Sequence, residues 1–407
     1  MGNITKLITI LIFSFIGADR INLLSDNFNF FIFTPFIFLS IIFILFVLSF
    51  HLYDLKFSWL FNNKLSFHFL SIYLLTIIIS TIFSMDIYLS LKRIVLIFFI
   101  LFVIILILSL YDISTINNIL FKSSILGSLL FLIFNILLSL NWFLAYDFTT
   151  IYINLIPDEI AYFVPRLGGY SSDVNRGTAV LLFFTLILYN FSHLNRYIKY
   201  LVFLNIFFIL ISFSRTIYLM MFIIFIWKFL KSNRSDKIVM GKYVLISFLT
   251  LSCLLIFLEF RSLIDIKLLI DERINIFDFS RFTSSGIHLK LIIEGFFTAF
   301  SSIKILLFGS GFGTSYHLIE GYYWSGTKYG NYHSMYITSL VECGIFNSIF
   351  LIIYSFLYPL YISNKNIFLD LVIGLFFFNF FYQLNVEPMF WAVILLFYKT
   401  NYEINNG

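Results

Sequence analysis

An all-α, polytopic bundle of transmembrane helices is the fold class this sequence predicts, and three observations carry that reading. Of 407 residues, 61% are hydrophobic and only 12% are charged, with 57 phenylalanines and a mean hydropathy of +0.98. A soluble core of this size could not bury so much apolar surface. The apolar residues also fall into runs close to the ~20 residues that carry a helix across the hydrocarbon core. Finally, several arginines and one histidine sit at the ends of such runs, where charge is costly and therefore marks a site.

Taken in order, the runs give about twelve spans: 4–17, 29–50, 67–84, 93–111, 118–140, 177–192, 198–213, 215–230, 242–260, 334–361, 367–384 and 388–401. The first, Ile4 to Ile16, has no small-residue cleavage site after it and reads as a retained, rather short span. The formal charge of +5 reflects Lys and Arg in short loops, a pattern that orients membrane helices and does not call for nucleic acid. Between the eighth and ninth spans, Lys228, Lys231, Arg234, Lys237 and Lys242 face the single Asp236, so this loop is expected in the cytoplasm. Arg196 and Lys199 agree with that orientation, as do Lys56 and Lys64, and both termini then lie inside.

Two long loops face outward in this scheme, 141–176 and 261–333, and neither is Pro/Ser-rich or of low complexity. The chain is therefore read as a single integral membrane domain over 1–407, with outer loops folded against the surface. Within the larger loop, Lys290, Glu294, Thr298 and Ser301 recur at helical spacing between Leu289 and Phe308, which predicts a helix lying in the outer interface. A thirteenth span is the alternative, and it would leave the C-terminus outside. Cys253 and Cys343 fall in or beside apolar runs and read as packing residues, because no CxxC or Cys/His cluster accompanies them.

The polar motifs recur in an order. Gly309-Ser310-Gly311-Phe312-Gly313 follows the interfacial helix, without the strand and Gly-Lys-Ser/Thr that a phosphate loop requires. Asn331-Tyr332-His333-Ser334 then opens a span that contains Glu342-Cys343-Gly344-Ile345. Earlier come Ser84-Met85-Asp86-Ile87-Tyr88-Leu89-Ser90-Leu91, Arg166-Leu167-Gly168-Gly169, Asp173-Val174-Asn175-Arg176-Gly177 and Ser214-Arg215-Thr216, and Pro388 with Trp391 comes last. Over most of 84–401 this order resembles the O-antigen polymerase and O-antigen ligase superfamily, enzymes that act on lipid-linked oligosaccharides of bacterial surface polysaccharides. Val174 stands where that family usually has Pro. The second loop arginine common in the family is replaced near Gly286-Ile287-His288, so its role falls to Arg281, Arg273 or His288, or is absent.

The resemblance implies a glycan donor on undecaprenyl diphosphate and no cofactor. Arginine suits such a donor because its planar fork keeps its charge and reaches two phosphate oxygens at once. Arg215, held between two apolar runs, is the expected catalytic arginine, with Arg166, Arg176, Arg273 and Arg281 as diphosphate-binding candidates. His333 is the candidate base for the acceptor hydroxyl, because imidazole titrates near working pH. Glu259 and Glu320 are rivals, and Glu342 could orient the imidazole only if its helix curls back. With no paired carboxylates at glycosidase spacing and no Asp-x-Asp, the expected chemistry is a metal-independent glycosyl transfer.

The expected protein is thus a multi-pass enzyme of the bacterial inner membrane that polymerises repeat units at its periplasmic face. Its expected partners are the lipid-linked oligosaccharide, membrane lipid and a chain-length regulator, with no nucleic acid. A ligase that moves the glycan to lipid A core or to protein is the nearest alternative. A flippase for the same lipid belongs to another class, and paired broken helices with charge at mid-membrane would mark it.

Overall fold

The computed structural model describes residues 2–24, 33–144, 149–150, 153–155, 158–160, 164–191, 195–231, 234–260, 284–319, 322–323, 327–328, 330–362 and 366–406. Helix α1 covers Gly2–Ser14, α2 Pro35–Phe50, α3 Ser58–Phe61, α4 Lys64–Ile82, α5 Ile87–Leu110 and α6 Ile113–Leu144. After a ribbon of β1 (Asp158–Ile160) and β2 (Val164–Arg166) come α7 Val174–Asn190, α8 Arg196–Ile211, α9 Arg215–Lys231 and α10 Arg234–Phe260. Then follow α11 Ser284–Ala299, α12 Ile303–Phe308, the single turn α13 Ser315–Leu318, and a ribbon of β3 (Tyr322–Tyr323) and β4 (Thr327–Lys328). Helix α14, Met335–Ile352, passes through a π-turn at Ile353–Leu357 into α15, Tyr358–Ile362, and α16 Leu369–Phe378 and α17 Pro388–Asn406 come last.

The chain is all-α apart from the two ribbons, and each predicted apolar run holds a helix. Among the described residues, α4, α5, α6 and the continuous α14–α15 are long and apolar enough to cross a membrane. A fifth candidate is α2 with Leu52–Phe61, bent by 88°. The exposed faces agree with a lipid environment. On α5, Leu91, Val95, Phe98 and Phe102 are exposed at helical spacing while Ile97, Ile100, Leu101 and Ile104 are buried, a division between lipid and protein contact and not between water and core.

Contacts divide the chain into two compact units. The first comprises Met1–Leu55 and Tyr111–Asn275. In it α1 packs on α2 and α6, and α6 on α7, which packs in turn on α8. Side-chain caps set the helix starts: Thr34 accepts from the Ile37 N–H beside Pro35, Asp173 from Arg176, and Asn195 from Tyr197. Between helices the buried Asn205 donates to the Ser128 hydroxyl at 2.8 Å, the kind of polar link that holds helices together in lipid.

The second unit comprises Lys56–Leu110 and Ile276–Gly407. Its centre is α17, buried from Met389 to Tyr398, with α3, α5 and α16 packed against it. A helix apolar on every side is stable only when surrounded in this way. Helix α14 packs on α4 and α12 and is interrupted at Gly344. The π-turn beyond it precedes Pro359, which lacks the N–H that the Ser355 carbonyl would otherwise accept.

One element differs from its sequence reading. The single helix expected over Leu289 to Phe308 is two helices, parted at Phe300–Ser302, where the Ser302 hydroxyl accepts the Ile305 N–H at 3.2 Å. Serine competes for backbone hydrogen bonds inside a helix and gains by capping one, so Ser301-Ser302 restarts the chain there. Residues 261–283, which include Arg273 and Arg281, lie outside the described residues, as does Glu320.

Candidate functional site

In the first unit the polar residues gather where α7 begins. Asp173 caps α7, and Arg176 in its first turn reaches back to Asp19, with which it pairs at a side-chain exposure of 16% for each. The same guanidinium donates to the Ser171 and Ser172 hydroxyls, each at 3.0 Å. Asp19 also accepts the Ser172 N–H at 2.7 Å. Arg176 is therefore locked into a neutral network that fixes the loop before α7. Arg20, buried to 2% exposure, continues that network: its Nε donates to the Ser171 carbonyl at 2.8 Å and its Nη1 to the Asn154 carbonyl at 3.2 Å. The sequence reading passed over both Asp19 and Arg20, although two adjacent charges just after the first apolar run were a usable signal.

Arg166 and Arg215 are placed differently. Arg166 is the last residue of β2, and Arg215 opens α9 directly after the turn in which Phe213 takes a left-handed conformation at φ 51. Ser214 closes that turn by donating its hydroxyl to the Asn175 side chain, so the α9 start is bound to the first turn of α7. The two arginines lie within electrostatic reach of each other, and Arg166 Nε is buried with no hydrogen-bond partner among the described residues. A second guanidinium within electrostatic reach of one at a helix N-terminus makes a positive field that an anion relieves.

In the second unit the glycine run and the broken helix explain each other. Gly344 in α14 adopts φ 81, ψ 177, which frees the Val341 and Glu342 carbonyls, and these accept the Ser310 and Gly311 N–H groups, each at 2.9 Å. A side chain at Gly309 would meet the Glu342 carbonyl oxygen at 2.1 Å, and one at Gly344 the Leu307 oxygen at 2.4 Å. Glycine is required because two backbones touch. The Ser310 and Gly311 N–H groups are thus spent on α14, and that of Gly309 on the Ile305 carbonyl. Gly344→Ala is expected to destabilise the protein by about 2 kcal/mol or more through strain and overlap, read as a lower thermal midpoint of the purified protein in detergent.

Glu342 is engaged by Ser315. Its carboxylate accepts the Ser315 N–H at 3.2 Å and the Ser315 hydroxyl, and it is buried at 3% exposure. The Ser84–Leu91 segment joins the same assembly through the Met85 N–H, which donates to the Ser310 carbonyl at 2.8 Å. Asp86 caps α5 and meets His317 at 3.2 Å. The Leu89 N–H, and after it His317, hold the Asp86 carboxyl below its usual range. What this contributes is present above the unfolded carboxylate range and is lost as pH falls through the folded value.

His333 stands two residues before α14, in a left-handed conformation at φ 52, with its N–H donated to the Asn331 side chain at 2.8 Å. Its ring stacks on His288 of α11, with centroids 4.0 Å apart and planes inclined by 15°. The close approach of α11 is set by Gly295, where a side chain would strike the Tyr332 ring at 2.7 Å. The sequence reading named His288 only as one possible substitute for a loop arginine, and its partner lies 45 positions away. Glu259 is exposed on α10, and among the described residues no group of three or more His, Cys, Asp or Glu side chains could hold a metal ion.

The motifs named from the sequence thus fall into two sets. Arg166, Asp173–Gly177 and Ser214–Arg215 meet in the first unit, while Ser84–Leu91, Gly309–Gly313 and Glu342–Gly344 meet in the second. No family model matches this chain, and no curated protein matches it either.

Proposed function

We propose that this membrane protein is a glycosyltransferase of the O-antigen polymerase type. It joins oligosaccharide repeat units carried on undecaprenyl diphosphate at the outer face of a bacterial inner membrane, through about twelve spans. The observation that carries the reading is Arg215 at the N-terminus of α9 with Arg166 within electrostatic reach of it. A departing polyprenyl diphosphate needs concentrated, non-titrating positive charge, and arginine supplies it with bidentate geometry. Arg176, already bound to Asp19, braces the segment between β2 and α7. In the transfer the acceptor hydroxyl attacks the anomeric carbon as its proton is taken up by a base, for which His333 is the proposed residue, and the bond to the diphosphate breaks. No metal or cofactor is assigned a part.

The test is a reconstitution of the purified protein with lipid-linked repeat units. Lengthening of the glycan together with release of polyprenyl diphosphate is expected, and transfer only to lipid A core would make the protein a ligase. A second reading rests on one specific observation, the interrupted α14 with the buried Glu342 beside its break. Broken spans with buried carboxylates also occur in transporters. Movement of the lipid-linked glycan across vesicles without any lengthening would establish that reading instead.

Two further results are expected. Reporter fusions should place Ser235 in the cytoplasm and both Asn275 and Tyr329 outside, following the Lys/Arg excess at 228–242. An inside position for Tyr329 would overturn the site assignment. His288→Ala should lower turnover about tenfold at unchanged donor affinity, because it removes the ring that fixes the plane of His333. His288→Phe, which restores a stacking surface, should recover most of the loss.

A further inference from the structure

The first unit contains a cavity of about 470 Å³ between α7, α8, α9 and α10 that the proposed transfer does not use. Its walls are apolar, with Leu186, Ile206, Met221 and Phe225 among them. Tyr218 stands at one end and Lys228 at the other. The Tyr218 hydroxyl is turned into the wall, where it donates to the Leu210 carbonyl. The Lys228 ammonium lies over the Tyr189 ring, 5.4 Å from its centroid. The volume falls in the range of ordinary ligand sites, roughly 300 to 1,000 Å³. Nothing along the walls except Lys228 offers charge to a ligand.

Length and charge identify the occupant. From Tyr218 to Lys228 the groove runs about 15 Å along α9 at the helical rise, half of the ~30 Å hydrocarbon core. That is the depth of one leaflet, which suits a single acyl chain and is too short for a polyprenyl tail extended across both leaflets. At the Lys228 end the chain is basic: Lys231 lies over the Trp227 ring at 4.0 Å and Lys237 over Phe229 at 4.9 Å, and Lys242 follows in sequence. Basic pockets between helices at the membrane surface bind anionic lipid headgroups, at about 1 kcal/mol per cation. The lysine stem meanwhile packs along apolar surface while its ammonium stays at the interface.

We infer that this groove is a binding site for one acyl chain of an anionic glycerophospholipid, whose phosphate is held at Lys228. The site requires only that the chain lies in a bilayer, so it stands apart from the glycosyl-transfer reading. Its effect is to tie α8, α9 and α10 together at the basic turn and so hold the far end of α9.

The experiment uses the full-length protein in detergent, with phosphatidylglycerol and phosphatidylcholine of identical chains as probes, read by native mass spectrometry and by thermal midpoint. Wild type should retain phosphatidylglycerol at least tenfold over phosphatidylcholine and gain in midpoint only with the former. Lys228→Gln should reduce that preference at least fivefold, and Lys228→Arg should keep it. Ile206→Trp, which fills the groove, should abolish retention of either lipid, and a folded Ile206→Trp that still binds phosphatidylglycerol as wild type does would overturn the proposal. Equal retention of the two lipids by wild type would also overturn it, as would displacement of phosphatidylglycerol by stoichiometric undecaprenyl phosphate, which would assign the groove to the polyprenyl tail.

Discussion

Arg215→Lys is expected to lose transfer activity almost as completely as Arg215→Ala, by about a hundredfold or more in kcat/KM. An ammonium preserves charge but contacts one phosphate oxygen as a point donor, whereas the guanidinium fork holds two. The position sharpens the expectation. Arg215 is the first residue of α9, following a left-handed Phe213 and a Ser214 bonded to Asn175, so its backbone is anchored and a shorter reach cannot be made up by movement of the turn. Arg166→Lys should show a similar but smaller loss, since Arg166 shares the field of Arg215. Arg176→Lys gives the contrast: with Asp19 and two serine hydroxyls as its partners, its loss should appear as a lower thermal midpoint with turnover per folded molecule nearly unchanged. The readout is repeat-unit transfer by purified protein at matched folded concentration. Full activity in Arg215→Lys would reduce Arg215 to a general positive charge.

His333→Asn is expected to slow transfer by about a hundredfold or more while donor affinity and thermal midpoint stay close to wild type. Asparagine is the informative replacement because His333 sits at φ 52, where asparagine is tolerated and alanine is strained. His333→Ala would combine a lost proton acceptor with a lost conformation, at about 1 kcal/mol for the latter, and the two effects would be read as one. His333→Gln keeps a hydrogen-bonding side chain without a titrating group and should be equally slow. Near-normal turnover in His333→Asn would remove histidine from the reaction and leave Glu320 and Glu259 as the candidates for the base.

Composition and period alone determined that this chain is all-α, with a helix at each apolar run. A run of apolar residues long enough to cross a bilayer must satisfy its backbone within itself, so the helix at each run follows from local chemistry. The caps Asp173 and Asn195 likewise act within three residues of themselves. Only the tertiary structure decided what the polar residues touch. Arg20 bonds to Ser171 across 151 positions and Ser80 to the Glu342 carbonyl across 262, and no local pattern encodes a partner at that distance. What the glycine run Gly309–Gly313 packs against was equally hidden in the sequence: Gly344 breaks α14 and exposes the carbonyls that the turn pairs with. The stack of His288 on His333, the capture of Glu342 by Ser315 and the locking of Arg176 by Asp19 arise in the same way. In an apolar bundle a buried polar group is stabilised by finding a partner, and which partner it finds is set by how the helices pack, not by the residues on either side of it.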